Sequence, residues 1–156
     1  MAATKVHQFL DEHGVSYDVE THERAVSAQR LAASEHVSGW DVAKPVMLSV
    51  SGQLAMVVVP APVEVDLSKA HNLLGGNDVR LAREDEFAQV FDDCEEGAEP
   101  PFGNLYGVPV FLDGKLRERP RMVCRDGSHI ETVTVATEDF VRLVRPEIVD
   151  ITGEAH

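Results

Sequence analysis

Val42-Ala43-Lys44-Pro45-Val46-Met47-Leu48-Ser49-Val50 is a mostly apolar run with one lysine near its start. Ser51-Gly52 follows as a turn signal, and Leu54 to Pro60 resumes the apolar pattern. Two such runs about a short turn predict a hairpin in the core. Nothing else apolar in the chain carries a cation so deep into its pattern. A lysine so placed has two readings. Its stem packs at the strand edge while its ammonium stays in water, or its ammonium enters a cleft to meet an anion or a developing negative charge. The stretch alone favours the first.

Working outward, Thr4 to His13 reads as a helix with Val6, Phe9 and Leu10 on one face, Thr4 as cap and Gly14 as stop. Val15, Tyr17 and Val19 alternate as a strand, and Ser27 caps a helix carrying Ala28, Leu31 and Ala32. Beyond the hairpin, Asp66 caps a helix with Leu67, Ala70, Leu73 and Leu74, ended by Gly75-Gly76. Val79 and Leu81 give a short strand, and Glu84 to Phe91 a short helix. Asp92 to Gly107 is irregular, a length that usually marks a functional or disordered loop. Val108–Leu112 is then a strand, Asp113-Gly114 a hairpin turn, and Leu116 onward the return strand. Asp126-Gly127 makes another turn before strand Ile130–Val135. Thr137 caps a last helix with Phe140, Leu143 and Val144, Pro146 ends it, and Ile148 to Ile151 closes as a strand. Helices and hairpins mixed without a βαβ rhythm predict an α+β fold, one domain over residues 1–156.

The chain has 156 residues, 44% hydrophobic and 26% charged, and a net charge of -13. That is the make-up of a single soluble domain. No run reaches the ~18 apolar residues that span a membrane, and the N-terminus lacks the apolar core of a signal peptide. Cys94 and Cys124 form neither a metal motif nor a disulfide framework, so a cytoplasmic, reduced protein is expected. The acidic balance opposes a broad grip on nucleic acid, and neither DNA nor membrane is expected as a partner; a small local contact is compatible with it. Acidic residues crowd Glu84 to Glu99, while Lys115, Arg117, Arg119, Arg121 and Arg125 bunch later. At strand period, Lys115 to Arg121 form either a charged, protected edge or a phosphate-contacting stripe; charge alone favours the edge.

No phosphate loop, His-x-x-x-His, Cys-x-x-Cys or Gly-x-Ser-x-Gly occurs, and the histidines are scattered, so no metal or other cofactor is expected. Cys94 sits among carboxylates that disfavour its thiolate. Gly97-Ala98-Glu99-Pro100-Pro101-Phe102-Gly103 is a stiff loop, suited to presenting backbone groups to a ligand or to serving as a connector. Gly127-Ser128-His129 is either a plain turn or a pocket rim where His129 meets substrate.

Together these pieces resemble the YbaK/EbsC family, related to the editing domain of bacterial prolyl-tRNA synthetases. The resemblance rests on a helix and strand ending at His22, Ala43-Lys44 opening an apolar hairpin, and Val58-Val59-Pro60 with Val65-Asp66-Leu67. It continues through Gly97-x-x-x-Pro101-Phe102-Gly103, Phe111-Leu112-Asp113, Gly127-Ser128-His129 and Ile148-Val149-Asp150-Ile151, covering nearly the whole chain. It implies a twisted, barrel-like mixed sheet with packed helices. It implies hydrolysis in trans of the ester on a mischarged tRNA, often tRNA for proline carrying a small amino acid such as alanine or cysteine. The partners implied are the acceptor end of that tRNA and, as a candidate, prolyl-tRNA synthetase. Lys44 is the implied catalytic residue; His22, Gly97, Pro101, Phe102, Gly127, Ser128 and His129 are the implied substrate-binding ones. Pro45 departs from the Thr, Ser or Asn that commonly follows the lysine. The alternatives are a non-catalytic aminoacyl- or nucleotide-binding regulatory module with the same pocket, and a hydrolase of some other small activated ester.

Overall fold

Strand β3 (Gln53–Pro60) is the strand around which the molecule is assembled. The computed structural model describes residues 4–21, 37–75 and 78–155. The helix expected from Ser27 and the site residue His22 lie outside the described residues. β2 (Ala43–Val50) pairs antiparallel with β3 from Ala43↔Pro60 to Val50↔Gln53. Ser51 (φ 50°) and Gly52 (φ 84°) turn the hairpin with both central residues in the left-handed region, the geometry that matches strand twist. β5 (Val79–Leu81) adds to β2, while β6 (Val110–Asp113) and β9 (Glu147–Val149) add in parallel on the other side. The five-stranded order is β5-β2-β3-β6-β9.

Alternation along β3 serves two cores. Met56 and Val58 enter a cluster with Val6, Leu10, Phe102 and Phe140. Val57 and Val59 enter another with Val63, Ala70 and Ile151. A strand covered on both faces has to be apolar almost throughout, which explains its sequence. Helices α1 (Thr4–Glu12) and α5 (Thr137–Val144) supply the first core, with Phe87 of the short helix α3 (Glu84–Phe87) packed against it, and α2 (Leu67–Leu74) supplies the second. A three-stranded sheet of β1 (Asp18–Thr21), β8 (Glu131–Ala136) and β7 (Arg121–Arg125) flanks the large one. One parallel bridge, Val42↔Val123, joins them, so among the described residues the sheets wrap the core without closing into a barrel. β4 (Val63–Val65) and β10 (Thr152–Ala155), a pair the sequence did not announce, complete the α+β domain.

Asp113-Gly114 is not a hairpin turn. The Asp113 carboxylate accepts the Lys115 N–H at 3.0 Å and starts a helical turn, α4 (Gly114–Arg117), whose Leu116 is fully buried. Local capping and burial outcompete the turn signal. β7 therefore pairs with β8, not with β6. The basic stripe falls with the hairpin: Lys115 and Arg117 lie on α4, while Arg119 and Arg121 both reach Asp41, at 2.7 and 3.3 Å. Smaller shifts follow elsewhere. Ala136, not Thr137, occupies the cap position of α5, and the expected Ile148–Ile151 strand breaks between β9 and β10. There the Ile151 N–H donates to the other Asp113 oxygen at 3.1 Å. Asp113 is 1% exposed and ties two backbone segments. Asp113→Ala is expected to cost about 2–3 kcal/mol, roughly 4–9 °C in Tm, by leaving buried N–H groups without acceptors; a thermal melt within 1 °C of wild type would refute this assignment.

Candidate active site

Lys44 sits near the start of β2, opposite Val59 of β3 and ahead of the stretch that pairs with β5, which begins at Leu48. Pro45 is tolerated there because one side of the strand needs no ladder donor. The Lys44 side chain is 22% exposed. Its ammonium donates to the Val63 carbonyl at 2.6 Å and the Ala61 carbonyl at 3.2 Å. Glu64 lies 3.6 Å away, with its own side chain 66% exposed. The ammonium is thus clamped by backbone oxygens. It has three protons to give, two are committed to carbonyls, and the third has only a long, solvent-screened ion pair. That leaves a positioned cation able to meet an incoming anion.

The Gly97 loop and the Gly127–His129 turn meet. The Gly127 carbonyl accepts the Glu95 N–H at 2.7 Å, and the Glu95 carboxylate accepts the His129 N–H at 2.8 Å. His129 Nε2 lies 2.6 Å from the Glu96 carbonyl. A carbonyl only accepts, so Nε2 carries the proton and donates. His129 is 3% exposed. It latches the loop at the residue before Gly97. Gly97 has φ +82°, and a Cβ there would lie 3.4 Å from His129 Cε1. Glycine is required at that φ for backbone reasons and fits the close approach of the ring. Pro100 and Pro101 are buried behind it, and Phe102 is fully buried, edge-on to Phe9 and Phe140. The loop therefore stands on the core. Ser128 Oγ is 3.2 Å from Asp126 Oδ1 and shapes the turn.

β7 runs parallel to β2 at the Val42↔Val123 bridge, so both strands leave it on one heading. One leads to Lys44, the other to Asp126 and the His129 turn. The topology thus puts the clamped lysine and the latched loop at the same end of adjoining strands.

The surroundings of the loop are acidic. Burial first, then the Glu99 and Glu96 carboxylates, push the Glu84 carboxyl up to about 7. Burial likewise raises Glu99, whose carboxylate accepts the Gly97 N–H at 3.2 Å. A carboxyl raised in the folded state holds its proton longer than in the unfolded chain. Its stabilising contribution is complete below the unfolded value near 4.5 and is lost as pH rises through about 7. Glu84→Gln is expected to leave Tm unchanged near pH 4.5 and raise it by roughly 2–4 °C at pH 8, about 1 kcal/mol after discounting solvent screening. Equal shifts at both pH values would show that the carboxyl is not strained.

Burial, then Asp93, holds Cys94 up at about 12, with the Tyr106 hydroxyl opposing, so it is no nucleophile at neutral pH. The sequence missed the Glu95 and Glu96 contacts, which hold the loop to the turn. It also missed His7, which reaches the fully buried Asp126 at 3.1 Å, with Glu131 close by; all three ligand atoms lie within 4.8 Å of one another. Burial first, then a hydrogen bond to Asp126, raises the Glu131 carboxyl, and the His7 contact to Asp126 braces the turn from beneath. The signal was present only as histidines scattered along the chain.

Comparisons with known proteins bear on the fold and the family. No curated protein matches the chain. Among solved structures, a hypothetical protein, APE2540, superimposes with TM-score 0.85 at 19% identity, covering 96% of this chain and 99% of that one. A candidate trans-editing enzyme for prolyl-tRNA synthetase gives TM-score 0.82 at 20% identity, covering 96% of both chains. A candidate signal transduction protein from Marinobacter aquaeolei VT8 gives 0.78 at 17% identity, covering 99% of this chain and 31% of that larger one. These likenesses define the fold class, a mixed α+β domain. The chain belongs to the aminoacyl-tRNA editing domain family, whose model matches residues 22–143.

Proposed function

We propose that this protein is a cytoplasmic trans-editing deacylase. It hydrolyses the ester joining a wrong, small amino acid to tRNA, with tRNA for proline carrying alanine or cysteine as the first candidate and prolyl-tRNA synthetase as the candidate partner. The observation that carries the reading is the Lys44 ammonium clamped by the Ala61 and Val63 carbonyls. An aminoacyl ester is already activated, so catalysis needs a held substrate, a placed water and stabilisation of the charge that develops on the carbonyl oxygen. Water oxygen attacks the carbonyl carbon, the carbon–oxygen bond to the ribose breaks, and the ribose oxygen leaves with a proton taken from the water. Lys44 supports this step either at the terminal phosphate or at the developing oxyanion. The loop from Gly97 to Pro101, latched by His129, forms the amino-acid wall, and its fixed shape supports a size sieve. His22 is assigned to the same pocket on the family resemblance.

The test is deacylation of a panel of labelled aminoacyl-tRNAs, with Ala-, Cys- and Ser-charged tRNA for proline beside correctly charged controls. Release of one mischarged amino acid, with the correct ones spared, is expected. No release by folded protein would favour a non-catalytic binding module, with Pro45 the first residue to revert.

A further inference from the structure

A cavity of about 580 Å³ adjoins the segment that clamps Lys44, lined by Trp40, Val63, Asp66, Lys69, Lys115 and Thr152. The Lys69 ammonium donates to the Thr152 carbonyl at 3.0 Å, and the Lys115 ammonium to the Thr152 hydroxyl at 2.6 Å. Two cations thus converge on one residue in a chain of net charge -13. The carboxylate found beside them, Asp150, pairs with Lys69 alone at 3.2 Å and is 79% exposed. Asp66 spends its Oδ1 on the Ser68 and Lys69 N–H groups at the start of α2. Like charges held together repel unless an anion bridges them. Trp40, the chain's one tryptophan, lines the same cavity. An aromatic face beside paired ammonium groups is the chemistry that holds a single-stranded nucleotide, base on the ring and phosphate on the cations.

We propose that this cavity binds the nucleotide just before the terminal adenosine of the RNA substrate. The inference rests on the deacylase reading, and its link to it is Val63. That residue lines the cavity while its carbonyl takes the Lys44 ammonium at 2.6 Å, so the two sites share one wall. Because tRNAs share a C-C-A end, a contact here supplies affinity common to all of them. Choice of amino acid is left to the loop.

The probe is the RNA trinucleotide CpCpA, followed by fluorescence of Trp40 and by anisotropy of a labelled copy. Saturable quenching is expected, weakening with salt at a log–log slope of about −1.4 for two phosphate-contacting lysines. Lys115→Gln, at an exposed position, is expected to weaken binding about tenfold and flatten that slope by about 0.7. Trp40→Leu is expected to weaken anisotropy-detected binding about tenfold or more. Absence of quenching, or a Lys115→Gln protein with wild-type affinity and slope, overturns the proposal. So does inorganic pyrophosphate competing as well as CpCpA, which would mark a bare anion site. The two readings fail separately. Deacylation without CpCpA binding at Trp40 removes this inference alone, whereas CpCpA binding without deacylation of any charged tRNA removes the enzymatic reading and leaves the pocket.

Discussion

Lys44→Ala is expected to lower kcat/KM for the edited aminoacyl-tRNA by about 100- to 1,000-fold, the loss typical of removing one positioned donor from a developing oxyanion. The fold should survive. The side chain is partly exposed, lies at the start of β2, and carries none of the core. Lys44→Met serves as the sharper variant, since it keeps the stem and removes only the charge and its protons. The two possible targets of the ammonium separate in the kinetics. Contact with the terminal phosphate in ground and transition state alike predicts a raised KM with kcat little changed, whereas contact with the reacting carbonyl predicts a lowered kcat. A variant within twofold of wild type on both parameters would remove Lys44 from the mechanism. Glu64→Gln makes a useful companion. Its carboxylate is the anion a substrate would displace, so its loss should leave activity intact or raise it slightly.

Gly97→Val is expected to reduce kcat/KM about 100-fold by a different route. At φ +82° a β-branched residue pays backbone strain of about 1–2 kcal/mol, and its Cβ would stand 3.4 Å from the His129 ring before the methyl groups are counted. Relief requires the ring to swing, which breaks the 2.6 Å contact to the Glu96 carbonyl. The loop then loses its latch, and displacing a substrate wall by about 1 Å costs on the order of a hundredfold. Gly97→Ala should show a milder version of both effects. The signature that separates a displaced wall from a lost catalytic group is specificity. The Gly97 variants should discriminate less between small and large amino acids, while Lys44→Met should slow all substrates alike. Unchanged discrimination in a folded Gly97→Val protein would show that the loop does not form the sieve.

The hairpin was legible because both of its signals are local. The apolar runs and Ser51-Gly52 lie within twenty residues and specify register without help from elsewhere. The same is true of α1, α2 and the turn at Asp126. Asp113-Gly114 misled for a tertiary reason. The dipeptide fits a turn and a helix cap equally well, and the choice falls to Leu116 entering the core and Ile151 needing an acceptor, neither visible in a window of a few residues. β4 and β10 are three and four residues long, too short to carry an alternation of their own. Of the site, Lys44 and the proline loop stood out by residue type. The carbonyl clamp at Ala61 and Val63 could not, because backbone acceptors leave no trace in side-chain chemistry. The Trp40 cavity is assembled from positions 40 to 153, so its convergence exists only after folding.

The central place of β3 also governs how the molecule is made. Its antiparallel partner β2 is adjacent in sequence, but its parallel partner arrives only with Val110, and the β4 edge waits for Thr152. Contacts between such distant segments carry a large loop-closure cost and slow folding toward the millisecond-to-second range. During synthesis at about 5–20 residues per second, the run from Met56 to Val59 leaves the ribosome several seconds before the strands that cover it. For that interval an apolar β-hairpin with an open β3 edge is exposed, the kind of edge on which a second nascent copy can pair.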